Sequence, residues 1–198
     1  MKGNHVSGKA KGAARDWLIL CAYSLVIFLT LPAARAVQKS MQAAGLEGLI
    51  NGGPVLLVLI VLLAVFYALW FRRRERRPST YFYLVNLGIA YFLVFQSLAE
   101  IPVERVHLLE YGLASYLALR AARHHRQGAA AWLMAAVLVF DIGFIDEVIQ
   151  YFLPERVYDP RDVVTNAISG LLGLGVVLVL SRRPPAKSPE PSSDSPEY

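Results

Sequence analysis

The sequence predicts an all-α fold, a polytopic transmembrane bundle of about six helices with both the N- and the C-terminus in the cytoplasm. Three observations support this prediction. The chain is 56% hydrophobic and only 18% charged, its apolar residues come in long blocks, and Lys and Arg are concentrated in alternate connections between these blocks. A helix needs ~20 residues to cross the ~30 Å hydrocarbon core, and the longer blocks reach this length. Soluble domains contain fewer apolar and more charged residues.

Six apolar segments are apparent in the chain. They cover residues 17–31, 54–71, 81–98, 106–119, 131–152 and 163–180. The fourth is the most polar, because it contains His107, Glu110 and Ser115. We expect neighbouring helices to shelter it, with its polar side turned away from lipid. The stretch 47–54 contains three glycines and ends in Pro54, a composition that predicts a turn before the second helix.

These segments divide the chain into four parts. Residues 1–16 form a cytoplasmic N-terminal segment, 17–79 two transmembrane helices, 80–182 a membrane domain, and 183–198 a disordered cytoplasmic tail rich in Pro, Ser and acidic residues. The first apolar segment has a second interpretation, as a signal peptide cleaved near Ala34-Arg35-Ala36, because this run has the small-x-small pattern of a cleavage site. Both interpretations leave the rest of the topology unchanged.

The orientation follows from the basic residues, which are retained near helix ends on the cytoplasmic side. Basic clusters precede the first segment and follow the second, fourth and sixth: Lys2, Lys9, Lys11, Arg15; Arg72, Arg73, Arg74, Arg76, Arg77; Arg120, Arg123, Arg126; Arg182, Arg183, Lys187. The three intervening connections have fewer basic residues and are mixed with acidic ones. We therefore expect a multi-pass protein of the cell membrane with these three connections outside.

The net charge of +5 does not indicate nucleic-acid binding, because the basic residues sit beside apolar runs, where anionic membrane lipid is the expected partner. The one cysteine, Cys21, excludes an intramolecular disulfide and a cysteine-based zinc site.

Polar residues gather at the predicted outer ends of the last three helices. Helical spacing puts His107 beside Glu110 on one face of the fourth helix, and Glu147 beside Gln150 on one face of the fifth. The small residues Ser169, Gly170 and Gly173 continue the polar face of the sixth helix inward as a seam that permits close helix packing. We predict a polar, outward-facing cleft on the extracytoplasmic side. The candidate site residues are His107, Glu110, Asp146, Glu147, Gln150, Arg156, Asp159, Asp162 and Asn166.

Two acidic residues have more ordinary interpretations. Asp159 precedes Pro160 and is equally well explained as the N-cap of the last helix. Asp141 lies nearer the middle of the bilayer, where a charge needs a partner. We expect Asp141 to pair with Asn86 or Gln96.

Two motifs stand out in residues 80–180. They are Pro102, Arg105, His107, Tyr111 and Leu113, and then Asp146, Glu147, Gln150, Phe152, Pro154, Arg156, Asp159, Asp162, Asn166 and Gly170. In these motifs the chain resembles the VanZ-like family, which is named after a protein linked to teicoplanin resistance. It departs from the family at Glu155, where a glycine is frequent, and at Arg105, where a lysine is common.

The resemblance implies a cell-envelope membrane protein that lowers susceptibility to glycopeptide antibiotics, without an established reaction. Three mechanisms stay open: a cleft that binds an envelope or lipid-linked precursor or the glycopeptide, a membrane-embedded hydrolase or transferase acting on a lipid-linked substrate, and a transporter. In the enzyme, Glu147 would be the base, Asp146 and Asp162 metal ligands, and Arg156 a phosphate clamp. The sequence indicates no cofactor, and it does not identify a metal.

Overall fold

Six α-helices make up the described part of the chain, which in this computed structural model comprises residues 3–98, 102–153 and 159–182. We number them in chain order. They are α1 (Gly3–Ala43), α2 (Glu47–Tyr67), α3 (Pro78–Ser97), α4 (His107–Ala122), α5 (Gly128–Tyr151) and α6 (Pro160–Ser181). A π-helical turn, Ala68–Arg72, extends α2, and a 3-10 turn, Pro102–Val106, precedes α4. These ranges contain no β-strand.

Five of these helices are long and apolar enough to cross a membrane. The candidate spans are Ala10–Ala33, Glu47–Arg72, Pro78–Ser97, Gly128–Tyr151 and Pro160–Ser181. Large apolar side chains such as Leu56, Phe92 and Leu133 are exposed on their outer faces. An exposed apolar surface of this extent is typical of helices that face lipid. The prediction of a membrane-embedded helical bundle is confirmed.

The remaining helix, α4, is the innermost one. It has 16 residues and packs against α6, α5 and α1. Tyr111, Ala114, Ser115 and Ala118 on its inner face are completely buried. This helix is the most polar of the six predicted segments, and its neighbours shelter it as expected.

A seam of small residues brings α4 and α6 into close contact. A Cβ atom added to Gly173 would lie 2.5 Å from the Gly112 Cα atom of α4. One added to Gly170 would lie 2.5 Å from Val139 Cγ1 of α5, so the seam contacts that helix as well. The Ser115 hydroxyl lies 2.7 Å from both the Tyr111 and the Gly170 carbonyl oxygens, and its hydrogen can be donated to either. The seam predicted along α6 is therefore present, and α4 and α6 run parallel across it.

Basic residues gather at the end of the bundle where α4 and α6 finish, which we call the basic end. There the buried Asp16 carboxylate of α1 accepts hydrogen bonds from Arg120 and His124. Arg73, after α2, donates to the Leu180 carbonyl oxygen of α6. The start of α1 and the ends of α2, α4 and α6 thus lie together, as the alternation of basic clusters predicts.

The connection between α2 and α3, also at this end, is held by an ion pair that the sequence analysis did not anticipate. Glu75 is 2% exposed, and its carboxylate accepts hydrogen bonds from the backbone N–H, Nε and Nη2 of Arg77 at 2.7 to 2.9 Å. These bonds lower the pKa of Glu75 to about 2. The run of arginines is therefore an ordered turn around one buried carboxylate.

The stretch 47–54 is helical, so the prediction of a turn there is wrong. The first two turns of α2 contain the three glycines, and Pro54 lies inside the helix. Glycine and proline are tolerated in membrane helices when other groups satisfy the freed backbone atoms. Pro54 has no N–H for the Ile50 carbonyl oxygen, and next to that group Arg105 donates from Nη1 to the Asn51 carbonyl oxygen at 2.8 Å. A contact from a distant part of the chain thus supports this first part of α2.

Candidate functional site

The opposite end of the bundle, the acidic end, is formed by the starts of α4 and α6 and the end of α5. At the start of α4, His107 Nδ1 lies 3.1 Å from Glu110 Oε2, which is the pairing predicted from their spacing. The Tyr23 hydroxyl of α1 donates to the Glu110 carbonyl oxygen at 3.1 Å. Tyr23 therefore attaches α1 to the turn that carries the His107–Glu110 pair.

The centre of the acidic end is a hydrogen bond between α4 and α5. The Tyr111 hydroxyl donates to Asp146 Oδ2 at 2.7 Å, and both residues are fully buried. Asp146 is close enough to His107 and Glu110 for their charges to interact. The structure thus brings together site residues that are 35 positions or more apart in the sequence.

Two further predicted residues of α5 lie beside Asp146. Glu147 is completely buried, and its Oε1 accepts a hydrogen bond from Gln150 Nε2 at 3.1 Å. Gln150 also lies close to Asp146. The last turn of α5 therefore presents two carboxylates that share one amide neighbour.

Asn166 of α6 completes the buried part of the acidic end. Its Nδ2 donates to the Gly143 carbonyl oxygen at 3.3 Å. A Cβ atom on Gly143 would lie 2.8 Å from Asn166 Cβ and 3.4 Å from Tyr111 Cε1. Only a glycine at position 143 lets α5 and α6 approach this closely beside Tyr111.

Two oxygen atoms in this buried layer lack a hydrogen-bond partner among the described residues. They are Oδ1 of Asp146 and Oδ1 of Asn166. Buried polar atoms are nearly always hydrogen-bonded, and an unsatisfied acceptor costs ~1–3 kcal/mol. The acidic end therefore offers acceptors that a ligand or water could satisfy with N–H or O–H groups.

A second pair of carboxylates lies between α4 and α6. Glu104, in the 3-10 turn, shares a hydrogen bond with Asp162 in the first turn of α6. Burial, followed by the charge of Asp162, raises the pKa of Glu104 to about 7. Asp162 is also close enough to His107 for their charges to interact. This pair therefore lies beside the buried layer at the acidic end.

Three other acidic or basic predictions have different outcomes. Asp159 is the N-cap of α6, because its Oδ1 accepts from the Arg161 backbone N–H at 2.8 Å. Arg156 lies outside the described residues. The pairing of Asp141 with Asn86 or Gln96 is wrong: Asp141 is exposed on α5, and Asn86 donates to the Phe82 carbonyl oxygen of its own helix at 2.7 Å.

A cavity of about 390 Å³ opens beside the His107–Glu110 pair. Its other walls are mostly apolar residues of α1 and α2, including Leu31, Ile50 and Pro54, together with Thr30 and Gln38 of α1. The side chains of His107 and Glu110 are thus the ionisable part of a mainly apolar chamber. This arrangement suits a ligand that has both a polar and an apolar part.

The geometry of a metal site is not found in the ranges that the structure describes. No three His, Cys, Asp or Glu side chains there converge closely enough to hold a metal ion. The roles of Asp146 and Asp162 as metal ligands stay predictions.

A comparison with protein families identifies the family of this chain. Residues 17–181 match the family model described as VanZ/LLP1. The chain belongs to the VanZ-like family. Comparisons of this VanZ-like protein with curated proteins and with solved structures give no significant match. The family match includes α1 and α2, which the motif resemblance did not cover.

Two residues of the VanZ-like motifs have structural roles that the site prediction omitted. Tyr111 supplies the hydrogen bond to Asp146, and its position four residues after His107 could have indicated this. Arg105 donates to the carbonyl oxygens of Asn51 and Phe95 and so ties the 3-10 turn to α2 and α3. No local signal in the sequence identifies the partners of Arg105.

Proposed function

We propose that this VanZ-like protein is a cell-envelope factor whose acidic end faces outward and binds the polar head of an envelope or lipid-linked precursor, lowering susceptibility to glycopeptides such as teicoplanin. The observation that carries the proposal is the pair of buried acceptors without a described partner, Asp146 Oδ1 and Asn166 Oδ1. A head group rich in hydroxyl or ammonium donors would satisfy both. The outward orientation is supported by the concentration of Arg at the other end of the bundle.

Asp146 has the chemistry needed to recognise donors. Its Oδ2 is held by the Tyr111 hydroxyl at 2.7 Å, so the carboxyl group is oriented before a ligand arrives. The second oxygen is then left to accept from the ligand. A site organised in advance loses less conformational entropy on binding.

The substitution Asp146→Asn tests this role because it keeps the shape of the side chain. Its amide oxygen can still accept from Tyr111, but an NH₂ group then replaces the acceptor that would face the ligand. The matched control is Asp141→Asn, the same chemical change on an exposed position of the same helix. The assay is the minimal inhibitory concentration of teicoplanin in bacteria that express each full-length variant.

We expect the wild type and Asp141→Asn to raise the inhibitory concentration equally, and Asp146→Asn to lose this increase. Thermal unfolding of each purified variant verifies that it is folded. A folded Asp146→Asn protein that protects as well as the wild type would contradict the proposal.

A membrane-embedded hydrolase or transferase is the second candidate, and one observation favours it. His107 faces the 390 Å³ cavity while its Nδ1 lies 3.1 Å from Glu110 Oε2. A carboxylate that orients an imidazole is the usual arrangement of a general base. Glu147, the base that the sequence suggested, does not line this cavity, so His107 is the better candidate.

The two functions differ in turnover. An enzyme would release a head group from a lipid-linked substrate repeatedly, and His107→Asn would abolish release without abolishing binding. A binding factor would retain the lipid unchanged, as mass spectrometry of extracted lipid can show.

A further inference from the structure

Below the acidic end, a second and larger cavity lies between α2, α4 and α6. Its volume is about 530 Å³, and its walls are apolar apart from two tyrosines. Leu57 and Ile60 of α2 and Leu113 and Tyr116 of α4 line it and are about half exposed. In a membrane-embedded bundle, such a cavity opens sideways to the hydrocarbon layer.

The two cavities follow one another along α2. The upper one is lined by Leu49, Ile50 and Pro54, and the lower one begins at Leu57 and ends at Leu62. We call the two together the α2–α4 groove. From Ile50 to Leu62 the helical rise of 1.5 Å per residue gives a length of ~18 Å. This is about half of the ~30 Å hydrocarbon core, the depth reached by the chains of one leaflet.

The groove is mainly apolar in its lower cavity, and its charged or ionisable side chains, apart from two tyrosines, lie at one end only, where His107 and Glu110 line the upper cavity with Thr30 and Gln38. This polarity matches a lipid, which has a polar head group and aliphatic chains. A transmembrane helix of a partner protein would fit less well, because the lower cavity of about 530 Å³ is smaller than the volume of a helix with a diameter of ~10 Å and several turns.

We propose that one aliphatic chain of a membrane lipid lies in the α2–α4 groove, with its head group at the acidic end. This inference rests on the proposed function and adds a binding site for the aliphatic chain of the ligand, which the polar site cannot hold. The bilayer leaflet on the side of the acidic end supplies the lipid. The chain is bound by van der Waals contact with the apolar walls.

Gly112 offers a way to fill the groove. A Cβ atom at Gly112 would meet no heavy atom within 4 Å, and the residue lines the lower cavity. Gly112→Leu therefore puts an apolar side chain where the lipid chain would lie. The matched control is Gly52→Leu in α2, because a Cβ there also meets nothing within 4 Å and Gly52 lines neither cavity.

The experiment uses the full chain in vesicles that contain a small fraction of phosphatidylethanolamine with a diazirine in one acyl chain. After irradiation, labelled residues are mapped by mass spectrometry. A diazirine near the head group should label the region around Ile50 and Pro54, and one near the methyl end should label the region around Leu62 and Tyr116. The exposed face of α5, with Leu133, reports labelling by bulk lipid.

We expect labelling of the groove well above that of the α5 face, and a fall to the α5 level in Gly112→Leu but not in Gly52→Leu. Equal labelling of the groove and the α5 face in the wild type would overturn the proposal, even if Gly112→Leu does not fold. Labelling that Gly112→Leu leaves unchanged in a folded protein would also overturn it.

A phosphatidylcholine probe with the same chains separates this inference from the proposed function, because its head group has no N–H donor. Groove labelling that is equal for the two lipids and unaffected by Asp146→Asn supports the chain site and contradicts donor recognition at Asp146. Labelling at the acidic end that is stronger with phosphatidylethanolamine and is removed by Asp146→Asn, without labelling of the groove above the α5 level, supports the head-group site and contradicts the chain site.

Discussion

The close approach of α4 and α6 at Gly173 makes a quantitative prediction about stability. In Gly173→Ala the new Cβ atom would lie 2.5 Å from Gly112 Cα and 2.9 Å from the Gly112 carbonyl oxygen, whereas carbon atoms in contact are ~3.5–4.0 Å apart. Both neighbouring atoms belong to the backbone, so no side chain can rotate away. The two helices must therefore move apart.

The expected cost follows from two opposing terms. Overpacking a core costs ~1–3 kcal/mol, and replacing glycine by alanine in a helix returns ~0.5–1 kcal/mol. We therefore expect a net loss of roughly 1–2 kcal/mol, the difference between these two terms. For a chain of this size each kcal/mol lowers Tm by ~2–4 °C, so Gly173→Ala should unfold ~2–8 °C earlier.

The assay is thermal unfolding of the purified full chain in detergent, with two matched glycine variants. Gly175→Ala places its Cβ 3.0 Å from the flexible Leu87 Cδ1, and Gly52→Ala meets nothing within 4 Å. The loss of stability should therefore be largest at Gly173, smaller at Gly175 and absent at Gly52. A Gly173→Ala protein with a Tm equal to or above that of Gly52→Ala would refute the close contact between α4 and α6.

Three further predictions concern charged groups. Burial raises the pKa of Glu104 from 4.5 to about 7, so ionisation of Glu104 destabilises the fold as pH rises from about 4.5 to 7. Glu104→Gln should therefore flatten this part of a profile of Tm against pH, and an unchanged profile would contradict the prediction. The hydrogen bonds from Arg77 lower the pKa of Glu75 to about 2, so the stability that Glu75 contributes is present above pH 4.5 and lost as pH falls toward 2. Glu75→Gln should have a lower Tm than the wild type at pH 7, and the two Tm values should converge in acid. Because Asp16 in α1 pairs with Arg120 in α4, we expect α1 to be retained in the mature protein. An N-terminal tag should therefore stay on the protein, and loss of the tag with a matching fall in mass would show cleavage.

Much of the fold could be predicted from the sequence because membrane insertion depends on local composition. The six apolar segments correspond to the six described α-helices, with ends that differ by a few residues except for the long α1 and the start of α2. The 47–54 stretch was predicted wrongly because glycine and proline are turn signals in water. In the bundle, Arg105 satisfies the Asn51 carbonyl oxygen of this stretch, and a single sequence does not show that contact.

The candidate site could be predicted in part. Spacing on one helix correctly paired His107 with Glu110 and placed Glu147 beside Gln150, because i, i+3 neighbours depend only on helix geometry. The pairing of Asp141 with Asn86 or Gln96 failed because it required knowing which helices adjoin. In the structure, Asp141 is exposed on α5.

The sequence by itself determined that this protein is a helical membrane protein and that one end of its last three helices is acidic. Hydrophobicity and charge partition between lipid and water segment by segment, so these features do not depend on how the helices pack. Only the tertiary structure decided that Tyr111 holds Asp146, that Asp146 and Asn166 each keep an oxygen without a described partner, and that an apolar groove begins beside His107. These features depend on distances between helices, and glycines at positions 143, 170 and 173 set those distances by allowing backbones to approach.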